Sequence, residues 1–353
     1  MGTKKSVIVP PLRMIAWEVT RSCNLNCIHC RASADLGPHS GGLSREECLR
    51  LIDDIASFSK PVVILTGGEP LLRNDIFEIA AHGNKRGLRM VMAVNGTLLN
   101  PENIKTMKDA GIERISVSLD GATPETHDEF RRVKGSFARA IKGIEHAKAE
   151  ALEFQINTAI TRQNLREIAE IHELAKTLGA KAHHIFVLVP TGRGKEIEKE
   201  QAVSPEEYEK LLRWFHDQED KTFLQLKATC APQYYRMREE LRGEHHNGFV
   251  HGSSPLDTKT RGCLGGVGFC FISHAGQVSP CGYLELDCGN VRKNLLPEIW
   301  SHSPIFLELR DFEKYEGKCG ACKFVRMCGG CRARAFYSTG NYLSEDPYCT
   351  YDP

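Results

Sequence analysis

At 353 residues the chain is long enough for two domains, or for one barrel-sized domain with an extension. A net charge of +1, with 26% charged residues, provides no field to steer it toward nucleic acid or an anionic membrane. Its 14 cysteines in so long a chain do not describe a small disulfide scaffold, and the short apolar run before Pro10 and Pro11 is neither a signal h-region nor a membrane span. The expectation is a cytoplasmic enzyme whose thiols ligate metal.

From Leu12 to about Val189, apolar runs of strand length alternate with helical patterns, the signature of β/α units on a parallel sheet. Leu12 to Thr20 is the first strand, and it leads into Cys23-x3-Cys27-x2-Cys30. Ser44-x-x-Glu47 is a capping box, followed by Cys48, Leu51, Ile52, Ile55 and Phe58 on one helical face, so Cys48 belongs to the core. The second strand, Pro61 to Leu65, runs into Thr66-Gly67-Gly68-Glu69-Pro70. Strands over Leu88 to Val94, Arg114 to Leu119, Phe154 to Ile160 and His183 to Val189 follow, with Ser136 and Asn164 as helix caps. Six such units fall two short of a closed eightfold barrel, which predicts a partial, open (β/α)6 barrel over residues 12–210 behind an arm of residues 1–11.

Past Pro190-Thr-Gly-Arg-Gly-Lys195 the rhythm changes. Residues 211–260 read as a bridge, with a short strand at Phe223 to Ala228 and a Gly-, His- and Ser-rich loop before Thr260. Residues 261–353 are cysteine-rich with few long periodic segments, so ligand bonds are expected to replace much of the apolar core.

Three close-set thiols can hold three irons of a [4Fe–4S] cubane and leave the fourth open, which keeps a metal site catalytic. Ligands of parallel β/α folds gather at strand C-termini, so Cys23, Cys27, Cys30, Gly67, Gly68, Glu69, Asn95, Asp120 and Thr161 are expected at one mouth. The C-x3-C-x2-C loop followed by Gly-Gly-Glu-Pro resembles the radical S-adenosylmethionine (SAM) superfamily. That resemblance implies that SAM chelates the open iron and is split by one electron into a 5′-deoxyadenosyl radical. It assigns Gly67, Gly68 and Glu69 to the SAM amino group, Ser118 and Asp120 to the ribose, and Arg131 to the carboxylate. His29 stands where an aromatic residue is usual and would pack on the adenine.

The second cysteine set resembles the SPASM extension of radical SAM enzymes. The resemblance implies two auxiliary [4Fe–4S] clusters, the nearer on Cys263, Cys270, Cys281 and Cys331 and the farther on Cys319, Cys322, Cys328 and Cys349. Cys328-Gly-Gly-Cys331 is one residue shorter than the common spacing, which leaves the partition of those two ligands open. A zinc site is the competing reading for the C-x2-C-x5-C-x2-C segment. Cys230 and Cys288 are left over and read as spare thiols, with a position near the site as the alternative for Cys230 in Ala-Thr-Cys-Ala-Pro.

Longer strings, among them Val187-Leu-Val-Pro-Thr-Gly-Arg-Gly-Lys-Glu196, Lys227-Ala-Thr-Cys-Ala-Pro-Gln-Tyr-Tyr235 and Tyr342 to Cys349, are similar to the haem synthases of the sirohaem-dependent alternative pathway. This implies oxidative decarboxylation of two propionates of iron-coproporphyrin III to vinyl groups, with a donor such as flavodoxin or ferredoxin. Arg193, Lys195, Arg236 and Arg261 are then candidates to grip carboxylates, Tyr234 or Tyr235 to pack on the macrocycle, and His183 or His184 to meet its iron. A related enzyme of haem d1 synthesis, a radical peptide maturase and a non-catalytic iron–sulfur or zinc module are the alternatives.

Overall fold

The structure, a computed structural model, describes residues 9–244 and 261–353. The expected arm up to residue 8 and most of the Gly/His/Ser-rich bridge lie outside the described residues. In chain order the first part contains β1 (Met14–Thr20), α1 (Arg45–Phe58), β2 (Val62–Gly67), α2 (Ile76–Lys85), β3 (Arg89–Val94), α3 (Pro101–Asp109), β4 (Arg114–Ser118), α4 (Pro124–Arg131), α5 (Ser136–Ala149), β5 (Glu153–Ile160), α6 (Ile168–Leu178) and β6 (Ala182–Val187). Then come α7 (Gly194–Gln201), α8 (Pro205–Asp217), β7 (Gln225–Thr229) and α9 (Gln233–Glu244). Beyond the gap lie β8 (Phe269–Ile272), β9 (Gln277–Ser279), β10 (Gly289–Asn290), α10 (Leu296–His302), α11 (Pro304–Arg310), α12 (Gly317–Ala321) and α13 (Arg332–Thr339).

β1 to β7 lie side by side in sequence order and all parallel, while β8 adds to the free side of β1, also parallel. The α/β class and the open parallel sheet are therefore as expected. Among the described residues the sheet has ten strands and not six: the short strand near residue 225 pairs with β6, β8 pairs with β1, and β9 and β10 continue antiparallel beyond β8. A two-residue alternation decides which face each strand shows. Ile15, Trp17, Val63, Leu65, Ile115 and Val117 are buried on the helix-covered face, each stabilising by roughly 1.5–3 kcal/mol. Their neighbours Ala16, Ile64, Ser116 and Asn157 turn to a cavity on the concave face.

The capping box expected at Ser44/Glu47 forms, and another forms at Ser204/Glu207. Two other caps do not. Gly135, in the left-handed region, precedes α5, and Ser136 instead donates to Asp128. Asn164 caps nothing: buried, it accepts from the Thr161 N–H and donates to the carbonyls of Asp120 and Ala159, tying the ends of β4 and β5 together. The cysteine-rich part docks on the barrel through β8, through Arg292 on Glu47, and through the buried Glu18, which takes bonds from Arg31, Arg21 and His274. Among the described residues no helix is long and apolar enough to cross a membrane.

Candidate active site

The loop that carries Cys23, Cys27 and Cys30 leaves the C-terminal end of β1 and is gripped from three sides by backbone. The turn after β2 donates from the Gly68 N–H to Thr20 O at 2.7 Å and from the Glu69 N–H to Ser22 O at 2.8 Å. A Cβ on Gly68 would stand 2.3 Å from Ser22 O, so glycine is what allows this approach. The end of α4 receives the Ile28 N–H on Phe130 O. The Thr191-Gly192-Arg193 turn closes the third side: Arg193 N–H donates to Cys30 O at 3.0 Å, and a Cβ on Gly192 (φ 53°) would meet Arg31 O at 2.2 Å.

All three thiols face a cavity of about 500 Å³ enclosed by the sheet. Donors already point at them: Leu25 N–H at Cys23 Sγ (3.4 Å), Ala34 N–H at Cys30 Sγ (3.4 Å) and Arg131 Nη1 at Cys27 Sγ (3.5 Å). Burial pushes the Cys23 thiol up to about 12 and raises Cys27 despite Arg131 beside it. Thiols so buried are poor nucleophiles at neutral pH, and a metal is what would deprotonate them. Among the described residues no three Cys, His, Asp or Glu side chains converge as they would around a single metal ion. A cubane asks for a wider setting, since each thiolate takes its own iron. The donor set fits a cluster held by three thiolates.

Around this loop the expected SAM-contacting residues divide. Gly67, Gly68, Ser118, Asp120, Arg131 and His29 line the cavity. Glu69 lies fully buried behind it, its carboxylate accepting from Asn95 N–H (2.7 Å) and Leu71 N–H (3.2 Å); burial holds its pKa up at about 7. Arg131 pairs with Asp120, whose other oxygen accepts from the Ala159 N–H. Asn95, also on the cavity, donates to Asn24 and reaches toward Cys23 Sγ, whereas Thr161 is buried away from it. Burial keeps His29 neutral, and its ring packs on Phe130 at 4.7 Å. His29 Nδ1 and Arg131 Nε are buried without a hydrogen-bond partner. Such atoms cost about 1–3 kcal/mol each when left unpaired, which fits a wall awaiting a polar cofactor.

The second thiol set splits in two. Cys263, Cys281 and Cys331 line the same cavity as the amino-terminal loop, and so does Cys230. Cys319, Cys322, Cys328 and Cys349 line a separate small cavity, with N–H donors from Phe324 to Cys322 Sγ and Gly330 to Cys328 Sγ and with Arg332 Nη2 on Cys319 Sγ at 3.3 Å. Cys270, grouped with the nearer set by resemblance, is elsewhere. Phe269 and Phe271 face the cavity, so alternation turns Cys270 to the other face of β8, fully buried in the main core beside Cys288. All 14 cysteines are free of disulfides.

The residues expected to hold a substrate fare unevenly. Tyr235, Arg261 and His184 line the cavity. Arg193 does not: its guanidinium binds Cys27 O at 2.8 Å and Ala34 O at 3.1 Å, so it shapes the cysteine loop. Lys195 rests over the Tyr337 ring, Tyr234 is buried with its hydroxyl on Glu219, and Arg236 is paired with Glu209 and Glu240. His183 is a core residue between Thr158 and His172. Absent from the sequence-based candidates are Arg89, Arg114 and Lys227, which line the cavity from β3, β4 and β7, Arg89 paired with Glu113 and Arg114 with Glu153. Strand alternation was the available signal for them.

Residues 17–175 match the radical SAM superfamily, and residues 263–323 match an iron–sulfur cluster-binding domain, SPASM. The chain is 50% identical over 344 residues to an AdoMet-dependent heme synthase of Oleidesulfovibrio alaskensis, covering 98% of this chain and 88% of that one. It is likewise 50% identical to an AdoMet-dependent heme synthase of Methanosarcina barkeri, covering 97% of each. Among solved structures, Streptococcus suis SuiB bound to S-adenosylmethionine superposes with a TM-score of 0.77 at 16% identity, over 97% of this chain and 78% of that one. At that identity the likeness shows the fold.

Proposed function

We propose, for a chain that belongs to the radical SAM family with a SPASM iron–sulfur domain, that its reaction is haem synthesis by oxidative decarboxylation of iron-coproporphyrin III. As a member of that family it is a radical SAM enzyme working with [4Fe–4S] clusters and SAM. The identity to AdoMet-dependent haem synthases supports the haem-synthase reading. The observation that carries it is one cavity walled by both thiol groups, Cys23, Cys27 and Cys30 with Cys263, Cys281 and Cys331. A substrate there stands between a radical source and an electron acceptor. Its volume of about 500 Å³ is within the range of small-molecule and cofactor sites.

The bound cofactors supply hydrogen abstraction and take up an electron. Each propionate becomes a vinyl group by losing one hydrogen atom, one electron and CO2. We assign Cys23, Cys27 and Cys30 to the cluster that binds SAM. We assign His29 to the adenine, Ser118 and Asp120 to the ribose, and Gly67 and Gly68 to the amino group. Arg131, already paired with Asp120, has its free Nε for the carboxylate. For the substrate, Arg261 offers two buried donors without partners, Nε and Nη1, to a propionate that is not processed. Tyr235 supplies an aromatic wall and His184 a neutral imidazole.

Anaerobic incubation with SAM, a low-potential reductant and iron-coproporphyrin III tests the reading. Haem, CO2 and two 5′-deoxyadenosines per haem are expected. Unchanged porphyrin with continued 5′-deoxyadenosine release would overturn the substrate and leave the enzyme class intact.

A further inference from the structure

We propose that Cys230 is the fourth thiolate of the nearer auxiliary cluster, joining Cys263, Cys281 and Cys331, and that Cys270 is not a ligand. This rests on the family's iron–sulfur chemistry and not on the identity of the substrate.

The case against Cys270 is one of register. It pairs with Ile15 in the parallel β1–β8 ladder, between Phe269 and Phe271, which face the cavity. Bringing its sulfur to the cavity would need a one-residue slip that reverses every side chain of β8. Such a slip would also drive Phe271 into the core that Ile15 and Cys288 occupy.

The case for Cys230 is one of placement. It leaves the C-terminal end of β7, lines the cavity with the three other thiols, and packs with Cys281 against Cys331 in a small cluster with Leu284 and Ala333. Its backbone is held at φ 56°, a region that residues with side chains seldom adopt and that marks functional positions when the surroundings enforce it. Here they do. Arg334 Nη1 donates to Cys230 O at 2.6 Å, Arg334 is fixed by Asp346, and Asp346 Oδ2 accepts the Cys331 N–H at 2.6 Å. One buried guanidinium–carboxylate pair thus locks Cys230 and Cys331 together. With Cys270 excluded, the nearer set would be one thiolate short of the four that a cubane takes. Cys230 fills that position and leaves no iron of this cluster for the substrate to ligate.

The test compares full-length, anaerobically purified Cys230→Ala, Cys263→Ala and Cys270→Ala by iron and sulfide content and by EPR of the oxidised and reduced protein. Each variant is made in a background lacking Cys23, Cys27 and Cys30, so that auxiliary clusters alone are read. Cys230→Ala is expected to match Cys263→Ala, with loss of up to about four irons or appearance of a [3Fe–4S] signal. Cys270→Ala is expected to keep the parent's counts and spectrum. Cys230→Ser, close in size to cysteine, guards against misfolding and should shift the reduced spectrum. An unchanged spectrum in both Cys230 variants, or a Cys270→Ala protein that loses iron as Cys263→Ala does, would overturn the proposal. A protein that holds every cluster but leaves iron-coproporphyrin III untouched fails the substrate reading alone.

Discussion

The two thiol-bearing regions are built by opposite means. The amino-terminal loop hangs from a parallel sheet and is fixed by backbone bonds to Gly68, Glu69, Phe130 and Arg193, so its shape does not depend on metal. Residues 315–353 have only α12 and α13, of 5 and 8 residues, and their interior is thiol, Arg332, Arg334 and Asp346, with Tyr315, Ala333 and Ala335 the buried apolar side chains. One site is made by the fold and then filled. The other is completed by what fills it. Cys23→Ala is therefore expected to lower reductive SAM cleavage on the order of a thousandfold or more, with auxiliary iron retained and amide protection of β1 to β4 unchanged. Cys319→Ala should deplete the outer site and lose amide protection across residues 315–353. Iron analysis with hydrogen exchange checks both, and loss of barrel protection in Cys23→Ala would break the comparison.

The seam between the regions runs through Glu18. Burial alone would raise its carboxyl, but the bonds and charges of His274, Arg31 and Arg21 win and hold it down at about 2, from 4.5. A depressed carboxylate contributes stability that is complete above the unfolded pKa and lost as pH falls through the folded one. That shift is worth about 3 kcal/mol, present at pH 7 and fading between 4.5 and 2. Glu18→Gln is expected to destabilise the metal-free chain by about that amount at pH 7. The gap from wild type should hold down to about pH 5 and narrow below it. Chemical denaturation across that range reads the slope, and a gap independent of pH would remove Glu18 from the seam.

How much of this was legible in the sequence follows from the same contrast. Where the chain makes the site, periodicity and the rule that ligands sit at strand ends located Cys23, Gly68, Asn95 and Asp120 together, and failed for Thr161, whereas Ser118 came from the resemblance alone. The rule was not applied to Cys230 because Phe223 to Ala228 was read as part of a bridge, and a strand's C-terminal residue matters only once the strand joins the sheet. Cys270 was misplaced for the converse reason: cysteine spacing carries no side-chain direction, whereas the β8 register does. Arg193 and Lys195 sat beside the right loop, but a guanidinium on a turn serves backbone carbonyls as readily as a substrate. Asn164 matched a capping pattern whose side chain was claimed by longer-range partners.

A finer probe of the prebuilt loop is Gly68→Ala. The added Cβ would stand 2.3 Å from Ser22 O and 2.6 Å from Arg21 O, both backbone atoms that cannot swing aside. The cysteine loop must shift, and a misplacement of about 1 Å costs on the order of a hundredfold. The loss should fall on the rate of SAM cleavage, with iron content near wild type, because the thiols themselves remain. Normal cleavage would show that the loop has slack and that metal, not backbone, sets its shape.

The smallest expected effect bears on the wall between the regions. Arg261 lines the cavity, stacks on Phe312 at 4.3 Å and donates Nη2 to Val325 O, which leaves Nε and Nη1 buried without a partner. If those two donors meet a propionate that is bound but not processed, they hold ground state and transition state alike. Arg261→Ala should then raise KM about tenfold, equivalent to about 1.4 kcal/mol, and leave kcat nearly unchanged. Arg261→Lys keeps the charge without the fork and should fall between the two. A drop in kcat at constant KM in both variants would instead assign Arg261 to the support of Cys263 and Cys328, whose backbones already bond to each other two residues away.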